Sequence, residues 1–176
     1  MSRPDGIQVH EGALTSANRR WAIVASRFNE FVVDKLIDGA RDALRRTGAA
    51  DADVELFRCP GAMELPALVK RVAETGRFAG VIALGAVIRG ATLHFEMVAG
   101  EAMRGLGATA HEGRVAVGNG VLTTDTIEQA VERAGTKAGN KGFDAAMVAI
   151  EMADLYAQLD AAAGAAPAQD LPRRSK

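Results

Sequence analysis

Residues 85–96 read "GAVIRGATLHFE" and place Gly85, Gly90 and Thr92 at the spacing of a nucleotide P-loop, G-x-x-x-x-G-K-[ST], with Ala91 in the lysine position. A P-loop needs that lysine to reach the β and γ phosphates, and an acidic residue ending a nearby strand to help hold magnesium. Ala91 removes the first, and Asp125, two residues past its expected strand, is better placed as a helix cap. Nucleotide triphosphate hydrolysis is therefore excluded. What survives is a helix start after Gly90, where unsatisfied N–H donors and the helix dipole favour an anion. Thr92 adds a hydroxyl. Either this is a seat for a single phosphate, or Gly90 is a turn residue and Thr92 an ordinary N-cap. A phosphate seat here requires a cation from elsewhere in the sequence.

Arg133, Lys137 and Lys141 follow one another at four-residue spacing in "ERAGTKAGNKG". Arginine offers phosphate a planar fork that lysine cannot reproduce. The trio is either a solvated helix face or, because Gly135, Gly139 and Gly142 oppose a continuous helix, a loop presenting cations. His94, two residues beyond Thr92, has a reference pKa of roughly 6.5, suited to proton transfer near neutrality; a capping or surface role is the alternative. Glu64 is either a first-turn carboxylate that complements a helix dipole or an acceptor for ligand hydroxyls. Phe28, in "SRFNE", is either core or an exposed stacking platform. His94-Phe95-Glu96 imitates the H-x-E of zinc deaminases, but the P-C-x-x-C that completes such a site is absent.

The 176 residues, 24% charged and 48% hydrophobic, suit one ordinary domain with a real core. A net charge of -1 gives no electrostatic reason to expect nucleic acid. Cys59 is the sole cysteine, which excludes an internal disulfide framework and points to the cytoplasm. The opening "MSRPDGIQVHEG" lacks the pattern of a signal peptide, and no apolar run reaches the roughly 20 residues of a membrane span. The scattered histidines His10, His94 and His111 offer no metal site.

Short apolar runs alternate with stretches of helical period, which predicts βα units. Strands are expected at Arg20–Arg27, 53–59, Gly80–Ile88 and 114–123. Helices are expected from about Asn29 to Gly48, Ala62 to Thr75, Leu93 to Leu106, Asp125 to Arg133 with Asp125 and Glu128 as a capping-box pair, and Lys141 to Ala162. This predicts an α/β protein, a three-layer αβα sandwich around a central four-stranded parallel sheet of flavodoxin-like winding. Residues 1–19 read as an N-terminal extension, 20–162 as the domain and 163–176 as a disordered tail. Ligands of open α/β sheets collect at the carboxyl ends of the strands. Those ends are 26–29, 59–64, 88–94 and 119–125.

The motifs "ASRFNE", "PGAMELP", "ALGAVIRGAT-x-HFE" and "NGVLTTDTIEQAVERAGTKAGNKG" occur in that order over Trp21 to Leu155, and together they resemble the lumazine synthase family of riboflavin biosynthesis. The resemblance implies condensation of 5-amino-6-(D-ribitylamino)uracil with 3,4-dihydroxy-2-butanone 4-phosphate, giving 6,7-dimethyl-8-ribityllumazine, phosphate and water, with no metal or organic cofactor. It implies that Phe28 stacks on the pyrimidine, that Gly61, Ala62 and Glu64 bind the ribityl chain and polar groups of the uracil, and that Val87 and Ile88 line the ring pocket. Ala91, Thr92 and Arg133 would hold the phosphate, Lys141 would support them, and His94 would shuttle protons. Asn119 stands where many members place a phenylalanine reaching a neighbouring subunit's substrate. Leu93 and Met97 replace a frequent proline and tyrosine. Asn119 keeps open an alternative, a flavin- or lumazine-binding shell protein with little catalysis. The family builds its sites between subunits of a pentamer, and uninterrupted "GTKAGNKG" resembles the members that form a 60-subunit shell. The resemblance also admits riboflavin synthase as a partner.

Overall fold

The computed structural model describes residues 6–165, in which β1 (Trp21–Ser26), β2 (Val54–Cys59), β3 (Gly80–Ile88) and β4 (Ala116–Thr124) form one sheet in the order β2-β1-β3-β4. Every pairing is parallel: Trp21 lies opposite Val54 on one side and Gly80 on the other, and Gly80 lies opposite Ala116. All of β1 is buried, as is β3 up to Val87. Their unbroken apolar sequences suit strands covered on both faces.

Helices α1 (Glu30–Arg46) and α5 (Lys141–Ala165) cover one face, where Val33, Leu36, Ala40 and Leu44 pack with Ala145, Ala149 and Ile150 over Ile23 and Ile82. Helices α2 (Leu65–Glu74) and α3 (His94–His111) cover the other, where Leu65, Val69 and Leu106 pack over Val24 and Val81. The outcome is the α/β three-layer sandwich with flavodoxin-like winding that the alternation predicts.

Several element ends differ from expectation for local reasons. α3 continues past Leu106 to His111, and Gly113, at φ +67°, follows its end. Gly105 sits inside the helix because a Cβ there would lie 2.5 Å from the Pro66 Cβ, so its role is close contact between α2 and α3. The helix after β4, α4 (Ile127–Glu132), is capped by Thr126, whose side chain accepts from the Gln129 amide at 3.2 Å. The capping pair is thus shifted one residue from Asp125 and Glu128. Glu128 keeps a carboxyl held below its ordinary range by hydrogen bonds from its own amide and from Thr126. The glycine-rich segment is neither helix nor open loop but a hairpin of β5 (Ala134–Thr136) and β6 (Gly139–Asn140), with Gly135 at φ +123° and Gly139 at +78°. α5 runs to Ala165, beyond the expected Ala162. The rest of the tail expectation lies outside the described residues.

α5 approaches its neighbours through small residues. A Cβ on Gly142 would lie 2.0 Å from the Leu36 carbonyl oxygen, and one on Gly118 would lie 2.1 Å from that of Ala145. The segment preceding β1 is tied down as well: buried Ser16 donates to the Leu44 carbonyl at 2.7 Å, and the Trp21 indole donates to the Ser16 carbonyl at 3.0 Å. Among the described residues, no helix is long and apolar enough to cross a membrane.

Candidate active site

The carboxyl ends of β1, β2 and β3 open into a cavity of about 770 Å³ walled by the turn that precedes α2 and by the first turns of α3. Its size and largely apolar wall fit small organic ligands. Each part of the wall has a local cause.

After β1, the Arg27 and Phe28 amides donate to the carbonyls of Cys59 and Pro60 at 2.8 and 3.0 Å, prolonging contact with β2 beyond the strands. Phe28 is left 70% exposed on the cavity wall, so it is not core. Asn29 then turns into α1 with φ 60°, and its Nδ2 donates to the Ala86 carbonyl at 2.8 Å. Asparagine is among the few non-glycine residues that accept this conformation.

After β2, Pro60 and Gly61 break the strand, and the Glu64 amide closes a turn onto the Gly61 carbonyl at 3.3 Å. A Cβ at residue 61 would lie 3.1 Å from Glu64 Oε2, so glycine leaves the carboxylate free to lie over this turn. Among the described residues the Glu64 carboxylate makes no ion pair or hydrogen bond. Cys59, at the base of this turn, is buried, and its Sγ lies 3.4 Å from the Gly61 carbonyl. Burial, with the Glu64 charge adding to it, pushes its thiol pKa up. Such a thiol is a poor nucleophile.

After β3, Val87 and Ile88 line the cavity, and the loop through Gly90 and Thr92 leads into α3. Leu93 occupies the N-cap position with no side-chain cap bond, so the N-cap reading of Thr92 does not hold. The amides of Ala91 through Phe95 have no hydrogen-bond partner among the described residues; the first amide in this turn to find one is that of Glu96, which donates to the Leu93 carbonyl at 3.1 Å. This exposed cluster of donors lies at the start of a helix whose residues span His94–His111, a position where the helix dipole favours negative charge. His94 opens the helix on the cavity wall.

The cavity therefore joins Phe28, Gly61, Ala62, Glu64, Val87, Ile88, Thr92 and His94. Ala91 lies in the same loop, between wall residues Gly90 and Thr92. Asn119, Arg133 and Lys141 are elsewhere. Asn119 is exposed on β4, where its Oδ1 accepts from the Val121 amide at 3.0 Å and its Nδ2 lies 3.2 Å from Met103 Sδ. Arg133 ends α4 and donates to the Gln129 carbonyl at 3.0 Å. Its neighbours Ala130 and Ala134 pack with α1 and α5, across the sheet from the Ala62, Val87 and Leu65 side of the cavity. Lys141 pairs with Asp144 at 2.7 Å at the start of α5. Among the described residues, no lysine or arginine lines the cavity.

Sequence reading gives no place on this wall to Ala86, Phe95, Val98 and Glu101; Asn29 and Met63 lie within the expected strand-end stretches, and Met97 is named only as the replacement for a frequent tyrosine. The signal was present in α3, because His94, Met97, Val98 and Glu101 recur at three- and four-residue steps and so share a helix face with the histidine already singled out.

The sequence profile of the 6,7-dimethyl-8-ribityllumazine synthase family matches residues 18–157. A 6,7-dimethyl-8-ribityllumazine synthase of Chlorobium phaeobacteroides is 55% identical over 148 residues, covering 84% of this chain and 96% of the relative. Proteins of the same name from Syntrophus aciditrophicus and an Anaeromyxobacter species are 55% and 54% identical, covering 86% and 85% of this chain and 98% and 91% of the relatives.

Proposed function

We propose that this chain, which belongs to the 6,7-dimethyl-8-ribityllumazine synthase family, condenses 5-amino-6-(D-ribitylamino)uracil with 3,4-dihydroxy-2-butanone 4-phosphate. It is a transferase of riboflavin biosynthesis. The observation that carries the reading is the cavity itself: it draws together residues of three separate motifs, with an aromatic ring, a carboxylate, a histidine and a helix N-terminus facing one space.

Each group has a use in that reaction. Phe28 supplies a flat apolar surface for the pyrimidine, between walls formed by Val87 and Ile88. Gly61 and Ala62 let the ribityl chain approach backbone, while Glu64 accepts from its hydroxyls or from the ring. The amides following Gly90, with the Thr92 hydroxyl, hold the phosphate and stabilise it as it leaves. His94 moves protons as the amine adds to the ketone, the Schiff base forms and the ring closes. Holding two reactive molecules together supplies much of the rate, through a raised effective concentration.

Among the described residues, the wall carries neither lysine nor arginine to pair with a phosphate seated on this loop. Arg133, supported by Lys141, fills that role from a neighbouring copy, and Asn119 faces the same site from there. Apolar surface left open on one chain supports burial against other copies: Phe31, Leu93 and Ile127 are 75%, 68% and 62% exposed. The assembly is a pentamer, and the short β5–β6 hairpin suits a 60-subunit shell. The enzyme works in the cytoplasm, with riboflavin synthase as a partner consuming its product. No observation favours a shell protein without catalysis. The test is to mix both substrates with the protein and follow lumazine fluorescence, subtracting the uncatalysed condensation; a rate equal to background refutes the assignment.

A further inference from the structure

Arg89 immediately precedes the loop assigned to the phosphate, yet it lines no part of the cavity. Its Nε donates to Asp125 Oδ1 at 2.6 Å, and its Nη1 donates to Glu96 Oε1 at 3.1 Å. The guanidinium carbon lies 4.4 Å from the centroid of the Phe95 ring, a cation–π contact with a residue that does line the cavity. Its amide donates to the Thr124 carbonyl at 2.9 Å, one residue beyond the last β3–β4 pair, Ile88 with Thr124. One residue is thus fastened both to the end of β4 and to the first turn of α3.

Gly90, Ala91 and Thr92 hang between those two anchors. They have little packing of their own, since among the described residues nothing beyond the chain neighbours lies within 4 Å of the place a Gly90 Cβ would take, and Ala91 and Thr92 are exposed. Their own packing therefore does little to fix these amides, and Arg89 ties down the first turn of α3 that follows them. Glu96 and Asp125 are also the carboxylates that flank this loop, and Arg89 bonds both of them. Without it, two negative charges would oppose a phosphate.

The geometry points to Arg89 as a positioning residue for phosphate binding: it sets the α3 N-terminus against the end of β4 and neutralises the two flanking carboxylates without touching substrate. This rests on the reading of residues 90–92 as the phosphate seat. The ion pairs are exposed, and exposed pairs contribute little to global stability. A change at Arg89 should therefore be felt locally.

The experiment compares Arg89→Met and Arg89→Lys with wild type, each checked for assembly by sedimentation. Steady-state KM is measured for each substrate, and inorganic phosphate is titrated by calorimetry. Arg89→Met should raise both the KM for the butanone phosphate and the Kd for inorganic phosphate about tenfold, equivalent to ~1.4 kcal/mol, and leave the pyrimidine KM within about twofold. Arg89→Lys should fall between, because it keeps the charge but cannot reproduce the fork to both carboxylates. A merely structural role would move both KM values together; that result, or no movement in either, overturns the inference. If Arg89→Met does not assemble, Arg89→Lys decides: a selective loss of phosphate affinity supports the inference and unchanged affinity refutes it. Failure of the wild type to make lumazine would sink the reaction assignment, whereas the calorimetric comparison would still decide the role of Arg89.

Discussion

Replacing Asn29 separates two structural terms that its side chain combines beneath the cavity. The β1–β3 ladder ends at Ala25 opposite Leu84, so the Ala86 carbonyl lies beyond the last strand partner on that side and takes its hydrogen bond from Asn29 Nδ2 at 2.8 Å. The same residue adopts φ 60° to begin α1. Asn29→Ala removes the bond, worth about 1–2 kcal/mol when a buried acceptor is left unpaired. It also forces a residue with no local polar compensation into the left-handed region, at a further cost of about 1 kcal/mol. The sum is roughly 2–3 kcal/mol, or a fall in melting temperature of roughly 4–12 °C for a chain of this length. Asn29→Gly loses the bond, but relief at positive φ offsets its larger unfolded-state entropy, leaving about 1–2 kcal/mol. Urea unfolding at one fixed protein concentration ranks the variants, fixed because assembly makes stability concentration-dependent. Glycine proving as damaging as alanine would refute the conformational term. Both variants lying within about 0.5 kcal/mol of wild type would refute the hydrogen bond as well.

Gly142→Ala should destabilise by about 1–3 kcal/mol, although alanine is the better helix former, because its Cβ would lie 2.0 Å from the Leu36 carbonyl oxygen; thermal melting reads the sign directly, and stabilisation would contradict the close α1–α5 contact. Asp154 accepts from the Ala13 amide at 2.8 Å, from Gln158 at 2.8 Å and from Arg19 at 2.7 Å, and these bonds hold its carboxyl below the ordinary value of 3.8. A depressed folded pKa gives stability that is complete above the unfolded value and lost as pH falls through the folded one. Cleavage of residues 11–20 by an acid-active protease should therefore rise below about pH 4 in the wild type, and Asp154→Asn should show high cleavage already at neutral pH with a neutral-active protease. His94→Ala should slow turnover by about 10–100-fold, less than a full acid–base deletion, because orientation supplies much of the rate; single-turnover fluorescence of the assembled variant measures this, and total loss would contradict it.

The layers and the sheet were legible because burial writes them into the sequence directly. β3 matches its expected bounds because a strand covered on both faces is apolar at nearly every position and is fenced by Gly80 and Gly90. The wall residues Phe28, Glu64 and His94 were legible because each follows a strand end, where open sheets gather ligands. What escaped depends on contacts distant in sequence. The continuation of α3 through Gly105 is explained by Pro66 of α2, and the turn at Asn29 by the carbonyl of Ala86. Arg133 is a different case: its type made it a candidate cation and the family resemblance gave it to the phosphate, yet Ala130 and Ala134 anchor it on the α1–α5 side of the sheet. Local pattern reports the polarity of a segment, not which face of which copy it will serve.

The central claim is that one chain supplies a cavity and a neighbouring copy supplies the guanidinium that completes it. Co-assembly of two defective chains tests this: one carries Arg133→Ala, the other Phe28→Ala with His94→Ala, and lumazine formation is compared with that of each chain assembled alone. If Arg133 acts between copies, random equal mixing restores about a quarter of the sites and activity rises well above both parents. If the cavity and Arg133 serve the same chain, every site keeps a defect, and the mixture will show no more activity than the average of its parents.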